Sequence, residues 1–182
     1  MSCKEAEKAR LEKLHPGLWR FRLKLRAFPA RYMQDMRLDR MQAGDLSISM
    51  QQLVDAAVIA AGHSYSPYSK FRVGAALLLT NGETVTGTNV ENVSYSLTIC
   101  AERSALVRAV AEFGPEIRIA AAAVVNLNDA PSPPCGACRQ MLAEFIDGDA
   151  PVSFPAGAAG AVSAVIRPFR ELLPFAFDLQ LK

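Results

Sequence analysis

Apolar and polar residues recur along this chain with two different periods, and the changes of period mark its elements. From Ser49 onward, Leu53, Ala57 and Ala61 repeat every four residues, widened by Val54 and Val58, which predicts a helix with one buried stripe. Ser49-x-x-Gln52 reads as a capping box at its start, and Gly62 closes it. Phe71 to Leu79 reads as a strand, Asn81-Gly82 is a strong hairpin signal, and Thr84 to Asn89 is the return strand. A second stripe of Ala105, Ala109 and Phe113, with Leu106 and Val110, predicts a helix from about Thr98 to Phe113, stopped by Gly114-Pro115. Ile117 to Leu127, rich in Ala and Val, fits a central strand covered on both faces. A helix from Cys135 to about Ile146 follows, then short strands at Val152–Phe154 and Val162–Ile166 and a short helical piece at Glu171-Leu172-Leu173-Pro174. Helices alternating with strands around one sheet predict a single layered α/β domain over residues 47–182.

Residues 1–46 follow a different pattern. Trp19 to Phe28 alternates apolar Trp19, Phe21, Leu23, Leu25 and Ala27 with basic Arg20, Arg22, Lys24 and Arg26, a period of two that suits an edge strand with one basic face. Charge sharpens the boundary. This segment holds eleven Lys/Arg against six Asp/Glu, or +5, while residues 47–182 hold nine against twelve, or −3. The expectation is a poorly ordered basic extension, with Met41 and Met50 as alternative starts; a basic arm touching an acidic partner is the competing reading. No apolar core of a secretory signal is present, and Glu5, Glu7 and Glu12 disfavour a transit peptide. The acidic body offers no footprint for nucleic acid, and the longest apolar run, Ile119 to Val125, is far short of a membrane span. A cytoplasmic protein is expected.

The candidate chemistry lies in two stretches, Cys100-Ala101-Glu102-Arg103 and Pro134-Cys135-Gly136-Ala137-Cys138-Arg139-Gln140. Cys135 and Cys138, three apart at a predicted helix start, share a face and can chelate one ion. Alone they could equally be a redox pair. Cys100 adds a third thiol, and three ligands leave a tetrahedral zinc with its fourth position open, as in a catalytic site. A closed structural zinc site remains the alternative, although neither His15 nor His63 has ligand-like spacing. Glu102, two positions from Cys100, turns roughly 200° around a helix from it and would face the metal's water rather than the metal. Three thiolates outweigh the charge of Zn²⁺, so something positive must offset them. The two helix N-termini would contribute, and Arg103, adjoining the Cys-Ala-Glu run, is a better candidate than Arg139.

A Cys-x-Glu followed by Pro-Cys-x-x-Cys is also the three-cysteine signature of zinc-dependent nucleobase deaminases. With Tyr65-Ser66-Pro67-Tyr68-Ser69-Lys70-Phe71-x-Val73-Gly74-Ala75-Ala76-Leu77, Asn89-Val90-Glu91-Asn92 and Glu171-Leu172-Leu173-Pro174, residues from about 50 to 178 resemble the small, homotetrameric cytidine deaminases. The resemblance implies a three-layer α/β/α fold with a five-stranded mixed sheet. It implies hydrolysis of cytidine and deoxycytidine to uridine, deoxyuridine and ammonia, as in pyrimidine salvage. It places one Zn²⁺ per subunit on Cys100, Cys135 and Cys138 and makes Glu102 the proton shuttle. By the same match Ala101 lines the substrate site, Phe71 packs against the base, and Asn89 and Glu91 hydrogen-bond the ribose. Tyr95 and Phe177 fall where neighbouring subunits complete each other's sites. The chain departs from the family pattern at Arg72, Ser96 and Phe175, none of which touches the zinc chemistry. A deaminase of another small substrate, such as blasticidin S, a polynucleotide deaminase and a zinc-stabilised binding module are the rivals.

Overall fold

The computed structural model describes residues 49–158 and 161–177. The basic extension and its alternating stretch, Trp19 to Phe28, lie outside the described residues. The chain runs α1 (Met50–Ala61), β1 (Val73–Leu79), β2 (Thr84–Thr88), a 3₁₀ turn (Tyr95–Leu97), α2 (Ala101–Phe113), β3 (Ile119–Asn126), α3 (Gly136–Ala143), β4 (Pro151–Ala158), β5 (Ala161–Pro168) and α4 (Phe169–Leu172).

Five strands form one mixed sheet in the order β2-β1-β3-β4-β5. All neighbours are antiparallel except β3 and β4, which are parallel and joined through α3. Parallel neighbours need such a crossover, and here it places Cys135 and Cys138 beyond the end of β3. The period of two in β1 divides the core. Ala75, Leu77 and Leu79 pack with α2, α3 and α4 on one face, while Ala76 and Leu78 pack under α1 on the other. β3 is buried along almost its whole length, as a strand covered on both faces must be. The result is the expected three-layer α/β/α domain.

Local chemistry sets most boundaries. Ser49 caps α1 through a complete capping box with Gln52, and Gly82, at φ 88°, supplies the positive dihedral of the β1–β2 hairpin. Several expectations shift: β4 and β5 run eight residues each rather than as short strands, and α4 begins at Phe169 rather than Glu171. Gly62 ends α1 in a right-handed conformation, φ −57° and ψ −27°, so the helix unwinds without a left-handed cap. Helix α2 begins at Ala101 rather than Thr98, because Ile99 pairs with Val90 through two backbone hydrogen bonds of 2.9 and 3.0 Å. Phe113, expected on the apolar stripe, is 37% exposed at the helix end.

Two glycines set the spacing between layers. A Cβ on Gly74 would lie 2.0 Å from the Ala57 carbonyl oxygen in α1, and one on Gly87 would lie 2.3 Å from Ala105 N and 2.5 Å from Ala101 O in α2. Each helix backbone therefore rests directly on a strand.

Candidate active site

Cys100 and Cys135 are the N-cap residues of α2 and α3, both with extended backbone and neither using its side chain to cap. Their sulfurs remain free for another partner at the positive ends of two helices. The Sγ atoms of Cys100 and Cys135 are 3.9 Å apart, those of Cys135 and Cys138 are 3.4 Å apart, and all three lie within 4.8 Å of one another. Zn–S bonds near 2.3 Å in a tetrahedron require sulfurs about 3.8 Å apart, so the triplet fits zinc with little adjustment. Among the described residues no histidine or carboxylate joins this cluster, which leaves the fourth direction to the pocket.

The thiols have chemistry to match. Cys100 is brought down to about 5, chiefly by a hydrogen bond from the Cys138 thiol and then by Arg103. Cys138, fully buried and facing the thiolate, is pushed upward. Crowded thiols that cannot all ionise together are a donor set for a cation, which would replace the shared proton. Arg103 donates from Nη2 to the Thr98 carbonyl at 3.0 Å and to Cys100 Sγ at 3.6 Å. Its Nε is buried with no acceptor, a donor that gains from negative charge gathering on the sulfurs. Arg139 acts elsewhere, donating to the Pro134 and Leu172 carbonyls and so binding α4 to the cysteine loop.

Glu102 is 4% exposed in the first turn of α2. Burial pushes its carboxyl upward and the Cys100 charge adds to the shift, against a hydrogen bond from its own amide. It shares a pocket of about 420 Å³ with Cys100, Ala101, Cys135, Phe71, Asn89, Glu91 and Tyr95. Eight of the expected site residues are thus brought to one cavity. Cys138 is fully buried outside its lining, Arg103 is bonded to Cys100, and Phe177 is in the C-terminal segment. There Phe177 pairs its backbone N–H and C=O with the Gln140 side chain, and the residue is 71% exposed.

The polar lining around Asn89 and Glu91 is prearranged by hydrogen bonds. Asn89 Oδ1 accepts from Ser64 Oγ at 2.6 Å and Val73 N at 2.9 Å, while Nδ2 donates to the Phe71 carbonyl at 2.8 Å. Glu91 accepts from the amides of Tyr68 and Ser69 at 2.9 and 3.2 Å and from the Ser69 hydroxyl. The serine hydroxyl, together with these amides and the Lys70 charge, holds Glu91 below the usual carboxylate range despite its burial. Sequence reasoning gave no role to Ser69 or Gln140. Their types are ordinary for loops and helix surfaces, and only the fold brings them to these partners.

A three-thiol cluster spaced for zinc, with a buried carboxyl lining the same pocket of an α/β/α sandwich, defines a metal-dependent hydrolytic domain. The family model described as the cytidine and deoxycytidylate deaminase zinc-binding region matches residues 47–153. A cytidine deaminase of Halalkalibacterium halodurans is 44% identical over 130 residues, covering 71% of this chain and 95% of that protein. One from Mycobacterium tuberculosis is 44% identical over 125 residues, covering 68% and 85%. Among solved structures, the cytidine deaminase of Burkholderia pseudomallei superposes with a TM-score of 0.62 at 38% identity, covering 71% of this chain and all of that one. The Mycobacterium tuberculosis structure gives 0.60 at 38% identity, covering 72% and 99%. The chain belongs to the cytidine and deoxycytidylate deaminase family.

Proposed function

We propose that this protein hydrolyses cytidine and deoxycytidine to uridine, deoxyuridine and ammonia, a step of pyrimidine salvage. The observation that supports this most strongly is the meeting of Glu102, Cys100 and Cys135 with Phe71, Asn89 and Glu91 in the lining of one pocket. Cys100, Cys135 and Cys138 hold the zinc, which when bound supplies Lewis-acid activation of water. Glu102 takes a proton from the attacking water and gives it to ring N3 as the new bond forms at C4, then carries the proton of the new C4 hydroxyl to the amine as the C4–N bond breaks. A carboxyl whose affinity for protons is raised by burial suits both roles. Arg103 and the two helix N-termini balance the thiolates. Phe71 packs against the base, and Ala101 lines the pocket beside it. Asn89, with one amide hydrogen uncommitted, and Glu91 take the ribose hydroxyls.

Residues 47–182 form the catalytic domain, and residues 1–46 are a basic extension outside it. The active assembly is a homotetramer in the cytoplasm, with Tyr95 and Phe177 completing neighbouring sites. Both residues are largely exposed, at 63% and 71%. Among the described residues no helix is long and apolar enough to cross a membrane.

Steady-state release of ammonia from cytidine, measured beside blasticidin S, tests the substrate; no ammonia from cytidine overturns the reading. Activity and sedimentation of a Met41-start protein test the extension, which should prove dispensable.

A further inference from the structure

The hydroxyl of Ser69 stands where the two halves of the substrate wall meet. It accepts from the Phe71 amide at 2.9 Å and donates to Glu91 Oε1. Its polarity is forced on both sides, because an amide N–H can only donate and an ionised carboxylate can only accept. Lys70 between them takes φ 60°, and this left-handed residue turns the chain so that Ser69 and Phe71 both line the pocket. The other oxygen of Glu91 is already engaged by the Tyr68 and Ser69 amides. A carboxylate offers about four lone-pair directions, so roughly one remains for a ligand, and the Ser69 hydroxyl decides where it points.

We propose that Ser69 is a positioning residue for sugar recognition, fixing the Glu91 carboxylate against the chain segment that carries Phe71. The proposal rests on the reading that Glu91 accepts from a ribose hydroxyl. Ser69 touches neither the thiols nor Glu102 through any hydrogen bond, so it acts on substrate selection and leaves the chemical step alone. A site organised around a substrate hydroxyl discriminates strongly against the analogue lacking it, provided the acceptor is held in place.

The test compares cytidine with 2′,3′-dideoxycytidine in zinc-loaded wild type, Ser69→Ala, Ser69→Thr, Glu91→Gln and the Ser69→Ala/Glu91→Gln double variant. Ser69→Ala should raise KM for cytidine about 10-fold or more, the scale of a lost hydrogen bond to a charged group, with kcat within about 3-fold of wild type. Its kcat/KM for the dideoxy analogue should change less than about 3-fold, so the ratio between the substrates collapses; Ser69→Thr should restore that ratio. In the Glu91→Gln background, adding Ser69→Ala should change kcat/KM less than about 2-fold, because the two share one interaction. Equal losses on both substrates, a loss in kcat alone, or independent losses in the double variant would overturn the proposal. Ser69 is exposed, so loss of zinc or of cooperative unfolding in Ser69→Ala would assign it to the fold and refute the positioning role. A wild-type ratio near one removes the sugar reading and this proposal together, whereas a large wild-type ratio that Ser69→Ala leaves unchanged removes the proposal alone.

Discussion

Gly87→Ala puts one methyl group between the sheet and the helix that carries half of the metal chemistry. Its Cβ would lie 2.3 Å from Ala105 N, 2.5 Å from Ala101 O and 2.9 Å from Ala105 Cα, all atoms of the α2 backbone. Backbone cannot rotate aside as a side chain can. Reaching an ordinary contact of 3.4 Å requires α2 to retreat by roughly 1 Å. Cys100 and Glu102 move with that first turn, whereas Cys135 and Cys138 sit on α3 and stay. A shift of that size displaces Cys100 from the 3.9 Å separation that now matches the roughly 3.8 Å tetrahedral zinc requires. Gly74→Ala is the control, because its Cβ would lie 2.0 Å from Ala57 O in α1, which carries no thiol of the cluster. Both substitutions should cost about 1–3 kcal/mol of stability by overpacking. Only Gly87→Ala should also weaken zinc binding, by about 10-fold or more, the scale on which displaced metal surroundings act. Competition against a chromophoric chelator, alongside thermal unfolding of the zinc-free proteins, separates the two effects. Equal zinc affinities in Gly87→Ala and Gly74→Ala would refute the claim that this close approach positions the site.

Charge and metal give the other tests. Arg103→Gln removes the charged donor to Cys100 and should lower kcat roughly 10- to 100-fold, as loss of a charge-assisted hydrogen bond does; fold and zinc content should persist, and an unchanged pH–rate profile would refute the charge-balancing role. Chelation should lower the thermal midpoint reversibly, because zinc binds the folded thiol cluster; at free zinc 100 times its Kd the stabilisation is about 2.7 kcal/mol, or several degrees for a domain of this size. Glu91 should titrate below its usual 4.5 in a carboxyl NMR experiment, and Ser69→Ala should move it upward. Its folded-state value is the lower one, so its contribution to stability is complete above the unfolded value and fades as pH falls through the folded value. A Glu91 titration that Ser69→Ala leaves unmoved would contradict the part assigned to the serine hydroxyl.

The elements were legible wherever local chemistry decides them. The Ser49 capping box, the Asn81-Gly82 hairpin and the buried β3 each follow from interactions within a few residues or from a simple period. Where a long-range pairing decides, the local pattern misleads: Ile99 is taken by Val90, and α2 starts at Ala101 rather than Thr98. The thiols were legible because Cys at chelating spacing has few other uses, and Arg103 because it adjoins them. The roles of Asn89 and Glu91 came only from the family likeness. Their residue types are unremarkable, and partners such as Ser64 and Ser69, more than twenty residues away in sequence, are found only in the fold. Ser69 and Gln140 stand inside the matching stretches, yet their bonds to Glu91 and Phe177 are found only in the fold.

Everything proposed for the reaction depends on Glu102 moving the proton at a zinc site it does not help to build. The decisive experiment measures zinc stoichiometry and cytidine turnover on the same preparation of Glu102→Gln. One zinc per subunit should remain, with turnover reduced by about 10²–10⁴-fold, the usual weight of a general acid–base group. Full zinc with turnover near that of the wild type would show that the proton travels by another route.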